Sequence, residues 1–178
     1  MAAENNTPLQ EDAIQKLKEM RKAVALGGGE DRIQAQHEKG KQTPRERIQK
    51  LVDPGTFIEL MPFMVHRHSD FGMEKNRFLG DGLVAGFGKI NGRRVCIYAQ
   101  DFTILGGSFS EVAGIKLAKL MDMAMDAGVP VIGLSDGGGA RIQEGVWSLW
   151  AFGELFYRNT LASGVVPQIS LELGPCAG

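Results

Sequence analysis

The strongest constraint on the fold lies in residues 129–145, where an apolar strand pattern, three glycines and a helix pattern follow one another. The segment reads V-P-V-I-G-L-S-D-G-G-G-A-R-I-Q-E-G. A glycine turn between a buried strand and a helix N-terminus leaves several backbone N–H groups unpaired, with the positive end of the helix dipole behind them. The pattern therefore predicts an α/β fold that holds negative charge at this turn.

Two kinds of negative charge fit such a turn. One is a phosphate group, and the other is the oxygen of a thioester or ester that becomes an oxyanion. Neither phosphate motif matches, because no Lys-Ser or Lys-Thr follows the glycines and Ile142 stands where the dinucleotide fingerprint has its third glycine. An ordinary strand-to-helix connection stays open as the alternative, although three consecutive glycines cost chain entropy that a plain connector would keep.

Composition narrows the class of protein. With 178 residues and 43% hydrophobic side chains, the chain has material for one core. A net charge of −1 argues against non-specific nucleic-acid binding, and no apolar run approaches the ~20 residues of a membrane span. Because acidic residues interrupt the first twenty positions, neither a secretory signal nor an Arg-rich transit peptide is predicted. The expected compartment is the cytoplasm.

Cysteine and histidine spacing gives no sign of a metal site. Cys96 and Cys176 lie far apart without C-x-x-C spacing, so small apolar filling is their expected role. His66 and His68 would share one face of a strand, but no third ligand lies nearby. We therefore expect no bound metal.

The first third of the sequence predicts helices. Residues 9–25 carry apolar side chains at helical spacing and run into three glycines, 27–29, which we interpret as a C-cap and hinge. Thr43-Pro44-Arg45-Glu46 combines an N-cap, a first-turn proline and a capping-box acid, so a helix should begin at Pro44. A basic cluster nearby could contact ligand phosphates or simply face solvent on a surface helix; it comprises Lys39, Lys41, Arg45 and Arg47.

The remainder predicts strands and helices in alternation. A short strand at 57–60 precedes a hairpin over 81–99, marked by the turn Asn91-Gly92. A second glycine turn, Gly106-Gly107, leads into a helix over 109–127, followed by a strand at 129–134, a helix to 162 and a strand at 165–173. This order predicts parallel strands with both glycine turns at their carboxyl ends, where such sheets bind ligands.

Several long motifs in one order resemble a known family. They include G-K-Q-T-P-R-E-R-I-Q-K-L-V-D-P-G-T-F, Q-D-F-T-I-L-G-G-S, D-G-G-G-A-R-I-Q-E-G and S-G-V-V-P-Q-I-S-L-E-L-G-P-C-A-G. They are similar to the carboxyltransferase subunits of biotin-dependent acyl-CoA carboxylases, nearest to propionyl-CoA carboxylase beta chains and methylmalonyl-CoA carboxyltransferase subunits. The resemblance covers almost the whole chain and implies a crotonase-like spiral of ββα units. It implies a helical segment at 1–56 and an incomplete N-terminal carboxyltransferase domain at 57–178.

The resemblance also implies an activity. In this family a carboxyl group passes from carboxybiotin to the α-carbon of a short acyl-CoA, such as propionyl-CoA or acetyl-CoA, through an enolate. Biotin is carried on a partner subunit or domain, so the implied partners are acyl-CoA, a biotin carboxylase or biotin carboxyl carrier subunit, and further copies of the chain. Because the biotin-binding half is missing from this sequence, the chain alone is expected to be inactive.

The family's oxyanion donors transfer onto particular positions. The N–H of Ala140, presented by Gly138 and Gly139, is implied as one donor, and Gly178 belongs to the turn that supplies the second. Substrate contacts are implied for Gly106, Gly107, Gly137, Gly138 and Arg141. Arg141 either orients the acyl-CoA or pairs with Glu144. In one departure from the family pattern, Gly137 replaces a serine, which removes a hydroxyl but leaves the N–H donors.

Two other functions stay open from the sequence. One is the reverse reaction in the alpha subunit of a methylmalonyl-CoA or glutaconyl-CoA decarboxylase, for which a membrane subunit would be a neighbour. The other is a non-catalytic role in CoA binding or assembly with full-length subunits.

Overall fold

A mixed five-stranded sheet forms the centre of the molecule in the structure, a computed structural model that describes residues 8–177. The strands run in the order β1-β2-β3-β4-β5, comprising Ile58–Glu59, Leu83–Ile90, Arg93–Gln100, Val131–Gly137 and Gln168–Cys176. Strands β1, β2 and β3 are antiparallel neighbours, whereas β3, β4 and β5 are parallel. The predicted parallel arrangement is therefore confirmed, with both glycine turns at the carboxyl ends of strands.

The predicted hairpin is confirmed. Asn91 and Gly92 both have positive φ angles, 50° and 77°, which is the geometry that a two-residue turn between twisted strands requires. Asp53 holds this turn, since its carboxylate accepts hydrogen bonds from the N–H groups of Asn91 at 2.9 Å and Gly92 at 2.8 Å.

Three helices precede the sheet: α1 is Pro8–Leu26, α2 is Glu30–Glu38 and α3 is Pro44–Leu51. The capping box of α3 is present as predicted. The Glu46 N–H donates to Thr43 Oγ1 at 3.3 Å, and the Thr43 N–H donates to Glu46 Oε2 at 2.8 Å. Ile48 of α3 is fully buried against one face of the sheet.

The glycines that follow α1 are fixed in place. Gly27 adopts a φ of 51° and ends the helix, as the predicted C-cap. Gly28 donates its N–H to Thr103 Oγ1 at 2.9 Å, and a Cβ at this position would overlap the Thr103 carbonyl. Gly28 is therefore docked against a distant loop, and the predicted hinge stays a prediction.

Two helices, α4 (Glu111–Ala127) and α5 (Val146–Ala162), connect the parallel strands. Ser110 caps α4 by accepting the Ala113 N–H at 2.9 Å, and Gly128 ends it in the left-handed conformation, as predicted. One face of α4 packs on the sheet through side chains that include Leu117, Leu120 and Met121.

The start of α5 corrects the sequence prediction. The helix begins at Val146 and not directly after the glycines, because a 3₁₀ turn, Ile142–Glu144, and the non-helical Gly145 come between. Several large apolar side chains of α5 are exposed, among them Val146, Leu149, Phe156, Tyr157 and Leu161. Among residues 8–177, no helix combines the length and hydrophobicity that crossing a bilayer requires.

Candidate active site

The chain bends directly after β4, because Gly139 adopts a φ of 84°. The Phe109 N–H donates to the Gly139 carbonyl at 2.7 Å, and the Arg141 N–H donates to the Phe109 carbonyl at 2.9 Å. This parallel bridge pairs the segment after the glycines with Phe109, which explains why α5 begins at Val146 and not directly after the glycines. In this bridge the Gly139 carbonyl and the Arg141 N–H both face Phe109, so the N–H of Ala140, which lies between them, faces away from Phe109. It has no hydrogen-bond partner within the described part of the chain, residues 8–177.

The second glycine turn packs directly against the first. It is a short 3₁₀ turn, Leu105–Gly107, and the Gly106 carbonyl accepts the Gly138 N–H at 3.0 Å. A Cβ on Gly107 would overlap the Asp136 carbonyl, and a Cβ on Gly137 would overlap the Gly107 carbonyl. Glycine at both positions therefore allows the two backbones to touch. A side chain at position 137, such as the serine of the family pattern, would require these turns to separate.

A cavity of about 520 Å³ opens where the two turns meet. Ala140, half-buried, lies in its wall, and apolar side chains make up much of the rest. The lining residues include Phe102, Leu105, Gly106, Gly138, Ala140 and Ile142. A backbone N–H that is free of protein partners and lies in the wall of this open, largely apolar cavity can donate a hydrogen bond to an oxyanion.

Arg141 is buried and its guanidinium is fully engaged by protein groups. Nη1 lies 2.6 Å from Asp81 Oδ1 and 3.1 Å from Glu144 Oε1, and Nε donates to Ser108 Oγ at 3.1 Å. All three charged side chains of this group have no exposed surface. Of the two roles left open by the sequence, pairing with Glu144 is therefore the one present. Arg141 holds the turn after the glycines in place.

The other oxygen of the Glu144 carboxylate ties the turn to α4. Glu144 Oε2 accepts the N–H of Glu111, at the first residue of α4, at 2.7 Å. Glu111 in turn pairs with Arg67, whose Nη2 lies 2.7 Å from Oε1, and with His68, whose Nε2 lies 3.2 Å from Oε2. Nothing in the local sequence pattern pointed to these contacts, since they join positions 33 to 44 residues apart.

Most of the basic cluster forms ion pairs with carboxylates of the same chain. Lys41 Nζ lies 3.1 Å from Asp136 Oδ1, and Arg47 Nη2 lies 2.6 Å from Asp136 Oδ2. Arg45 pairs with Glu59 at 2.7 Å. These three side chains pair with carboxylates of the same chain and do not form a plain solvent-facing surface, and contact with ligand phosphates stays a prediction. Asp136 precedes the glycines, so these ion pairs fix the start of the turn to the N-terminal helices.

The ionisable groups on or near the sheet with shifted pKa values include Lys116, Cys96 and Cys176. Burial lowers the pKa of Lys116 to about 8; its ammonium donates to the Gly80 carbonyl at 3.1 Å and to the Leu83 carbonyl. Burial raises the pKa of the Cys96 thiol to about 11. A hydrogen bond to Glu172 raises the pKa of Cys176, which leaves less thiolate and makes this thiol a weak nucleophile.

The structure brings most of the predicted site residues together. Gly106, Gly138, Ala140 and Arg141 line the cavity, whereas Gly107, Gly137 and Gly139 are buried behind it. Gly178, predicted to belong to the turn that supplies the second donor, lies outside the described residues.

Residues 35–178 match the family model of the carboxyl transferase domain. The chain belongs to the carboxyl transferase domain family. It is 57% identical over 168 residues to the carboxyltransferase subunit of propionyl-CoA carboxylase from Haloferax mediterranei, covering 94% of this chain and 33% of that protein. It is 55% identical over 166 residues to the mitochondrial propionyl-CoA carboxylase beta chain of Homo sapiens, covering 92% of this chain and 31% of that one.

A solved structure of this family has the same fold. Transcarboxylase 12S, crystallised as a hexamer with methylmalonyl-coenzyme A and methylmalonic acid bound, superposes with a TM-score of 0.92 at 44% identity. The match covers 100% of this chain and 34% of that chain. The α/β, crotonase-like carboxyltransferase fold implied by the motifs is confirmed. This carboxyl transferase domain chain spans about a third of the length of its relatives.

Proposed function

We propose that this chain supplies the acyl-CoA side of a carboxyltransferase site, in which the Ala140 N–H stabilises the thioester oxygen as the α-carbon loses a proton. The observation that carries the proposal is the Ala140 N–H in the wall of a largely apolar cavity, where it has no hydrogen-bond partner among residues 8–177. Removing the α-proton moves negative charge onto the thioester oxygen, and the loss of one oxyanion donor typically costs about 3–4 kcal/mol of transition-state stabilisation.

The substrate class follows from the relatives. Proteins 55–58% identical to this chain are named for propionyl-CoA, and the structure of transcarboxylase 12S contains methylmalonyl-coenzyme A. These names support a short acyl-CoA as the carboxyl acceptor and favour carboxylation over the decarboxylase alternative. The carboxyl donor we propose is carboxybiotin, carried by a biotin carboxylase or biotin carboxyl carrier partner, as the family resemblance implies.

Assembly with further copies of the chain is part of the same proposal. Transcarboxylase 12S is a hexamer, and the exposed apolar residues of α5 offer a surface of the kind that subunit contacts bury. The cellular compartment stays a prediction, because the relatives include beta chains named mitochondrial.

Acyl-CoA binding is the part of this proposal that the chain can be tested for directly. Titration calorimetry with propionyl-CoA should give weak but measurable binding, which Ala140→Pro reduces about fivefold, the value of one hydrogen bond. Proline removes the N–H of residue 140 and leaves both bonds to Phe109, which use Gly139 and Arg141. Ala140→Gly keeps the N–H and should bind like the wild type. Equal binding by the proline variant would refute the assignment of this donor.

A further inference from the structure

The side chain of Gln100 lies between the two glycine turns. Gln100 is the last residue of β3, and its Oε1 accepts the Asp136 N–H at 3.0 Å while its Nε2 donates to the Gly107 carbonyl at 3.2 Å. A backbone N–H can only donate and a carbonyl can only accept. These two partners therefore require a side chain with one donor and one acceptor, which a glutamine amide provides.

The amide sits at the point where the two backbones touch. A Cβ on Gly137 would lie 2.6 Å from Gln100 Nε2 and would overlap the Gly107 carbonyl. There is consequently no room for another group between the turns. Along the chain, Gln100 makes the first of three successive contacts between the two turns. The hydrogen bond from Gly138 to Gly106 is the second, and the bridge between Phe109 and the residues around Ala140 is the third. Gln100 thereby sets the separation of the turns where they first meet.

We propose that Gln100 is a positioning residue for the oxyanion donor. By joining the Asp136 N–H to the Gly107 carbonyl, it fixes the register of the two turns and with it the placement of the Ala140 N–H, which lies four residues after Asp136. The inference rests on the proposed function, in which the Ala140 N–H meets the thioester oxygen. It concerns a residue whose side chain does not line the acyl-CoA cavity.

A purely structural role makes a different prediction from a positioning role. If Gln100 only stabilised the fold, its loss would weaken the binding of every CoA ligand alike. If it places the donor, its loss affects ligands that carry a thioester oxygen and spares ligands that lack one. Propionyl-CoA and its thioether analogue S-propyl-CoA differ at this position, because a methylene replaces the carbonyl.

The experiment measures both ligands by titration calorimetry against the wild type and Gln100→Met, which is similar in length and forms neither hydrogen bond. We expect the wild type to bind propionyl-CoA about fivefold more tightly than S-propyl-CoA. In Gln100→Met this ratio should fall below about twofold, with S-propyl-CoA binding unchanged. Gln168→Met is the matched control. Gln168 also donates a hydrogen bond from Nε2 to a backbone carbonyl, that of Asn159 at 3.1 Å, but it is the first residue of β5 and makes no contact with either glycine turn.

The outcomes separate the two proposals. A wild-type ratio near one would refute the Ala140 donor itself. A fivefold ratio in the wild type that persists in Gln100→Met would overturn the positioning role and leave the donor standing. If circular dichroism shows Gln100→Met to be unfolded, Gln100→Glu takes its place, because it keeps the acceptor for Asp136 and loses the donor to Gly107. Its ratio should fall in the same way, and an unchanged ratio would overturn the inference.

Discussion

Arg141→Met tests whether the buried ion group scaffolds the site. The substitution keeps the length and apolar stem of the side chain but removes the guanidinium that faces Asp81 at 2.6 Å and Glu144 at 3.1 Å. Both carboxylates have no exposed surface, so water cannot replace the lost partner. Breaking a buried ion pair by removing one member typically costs about 3–5 kcal/mol, because an uncompensated charge stays buried.

The measurement is urea unfolding followed by circular dichroism at pH 7. Arg158→Met serves as the control, because Arg158 also pairs with two carboxylates, Asp122 at 2.8 Å and Glu154 at 2.6 Å. Those carboxylates are 43% and 32% exposed, so we expect a loss of about 1 kcal/mol or less. The double variant Asp81→Asn with Arg141→Met should recover part of the loss. A decrease for Arg141→Met no larger than that for Arg158→Met would refute the scaffold role.

Three further predictions follow from single contacts. As the pH rises from 8 to 10.5, the free energy of unfolding of the wild type should increase by up to about 3 kcal/mol relative to that of Lys116→Met. The reason is that over this range Lys116 binds more protons in the unfolded state than in the folded state. Urea unfolding measures both proteins, and the same pH dependence for the two would contradict this prediction. Gly139→Ala should abolish propionyl-CoA binding in calorimetry, because φ is +84° and the new Cβ lies 2.6 Å from the Ala177 carbonyl, whereas Gly138→Ala, with 3.6 Å to its nearest neighbour, should be tolerated. Thr43→Ala should lower the free energy of unfolding by about 1 kcal/mol through loss of the helix cap, and no change in the urea midpoint would be against it.

Local chemistry explains which elements could be predicted from the sequence. The Asn91-Gly92 turn, the Thr43 capping box and the Gly128 C-cap each depend on residues within a few positions of one another, and all three are present. The expected start of α5 failed because Phe109, some 30 residues earlier in the chain, captures the segment after the glycines. Helix propensity depends on neighbouring residues, so it cannot predict a contact with a residue so far away in the chain.

The candidate site divides in the same way. The glycines and Ala140 can be proposed as site residues from their pattern and from the family motifs, whereas the groups that hold this turn come from far along the chain. Lys41 contacts Asp136 across 95 positions and Arg141 contacts Asp81 across 60. The predicted division at residue 57 stays a prediction, although Ile48 packs in the core that also contains sheet residues.

A crystal structure of the chain with propionyl-CoA bound would test the central claim most directly. We predict the thioester oxygen within about 2.7–3.2 Å of the Ala140 nitrogen, in the cavity between the two glycine turns. An acyl group bound elsewhere, or an Ala140 N–H that donates to a protein carbonyl while the ligand is bound, would contradict the account.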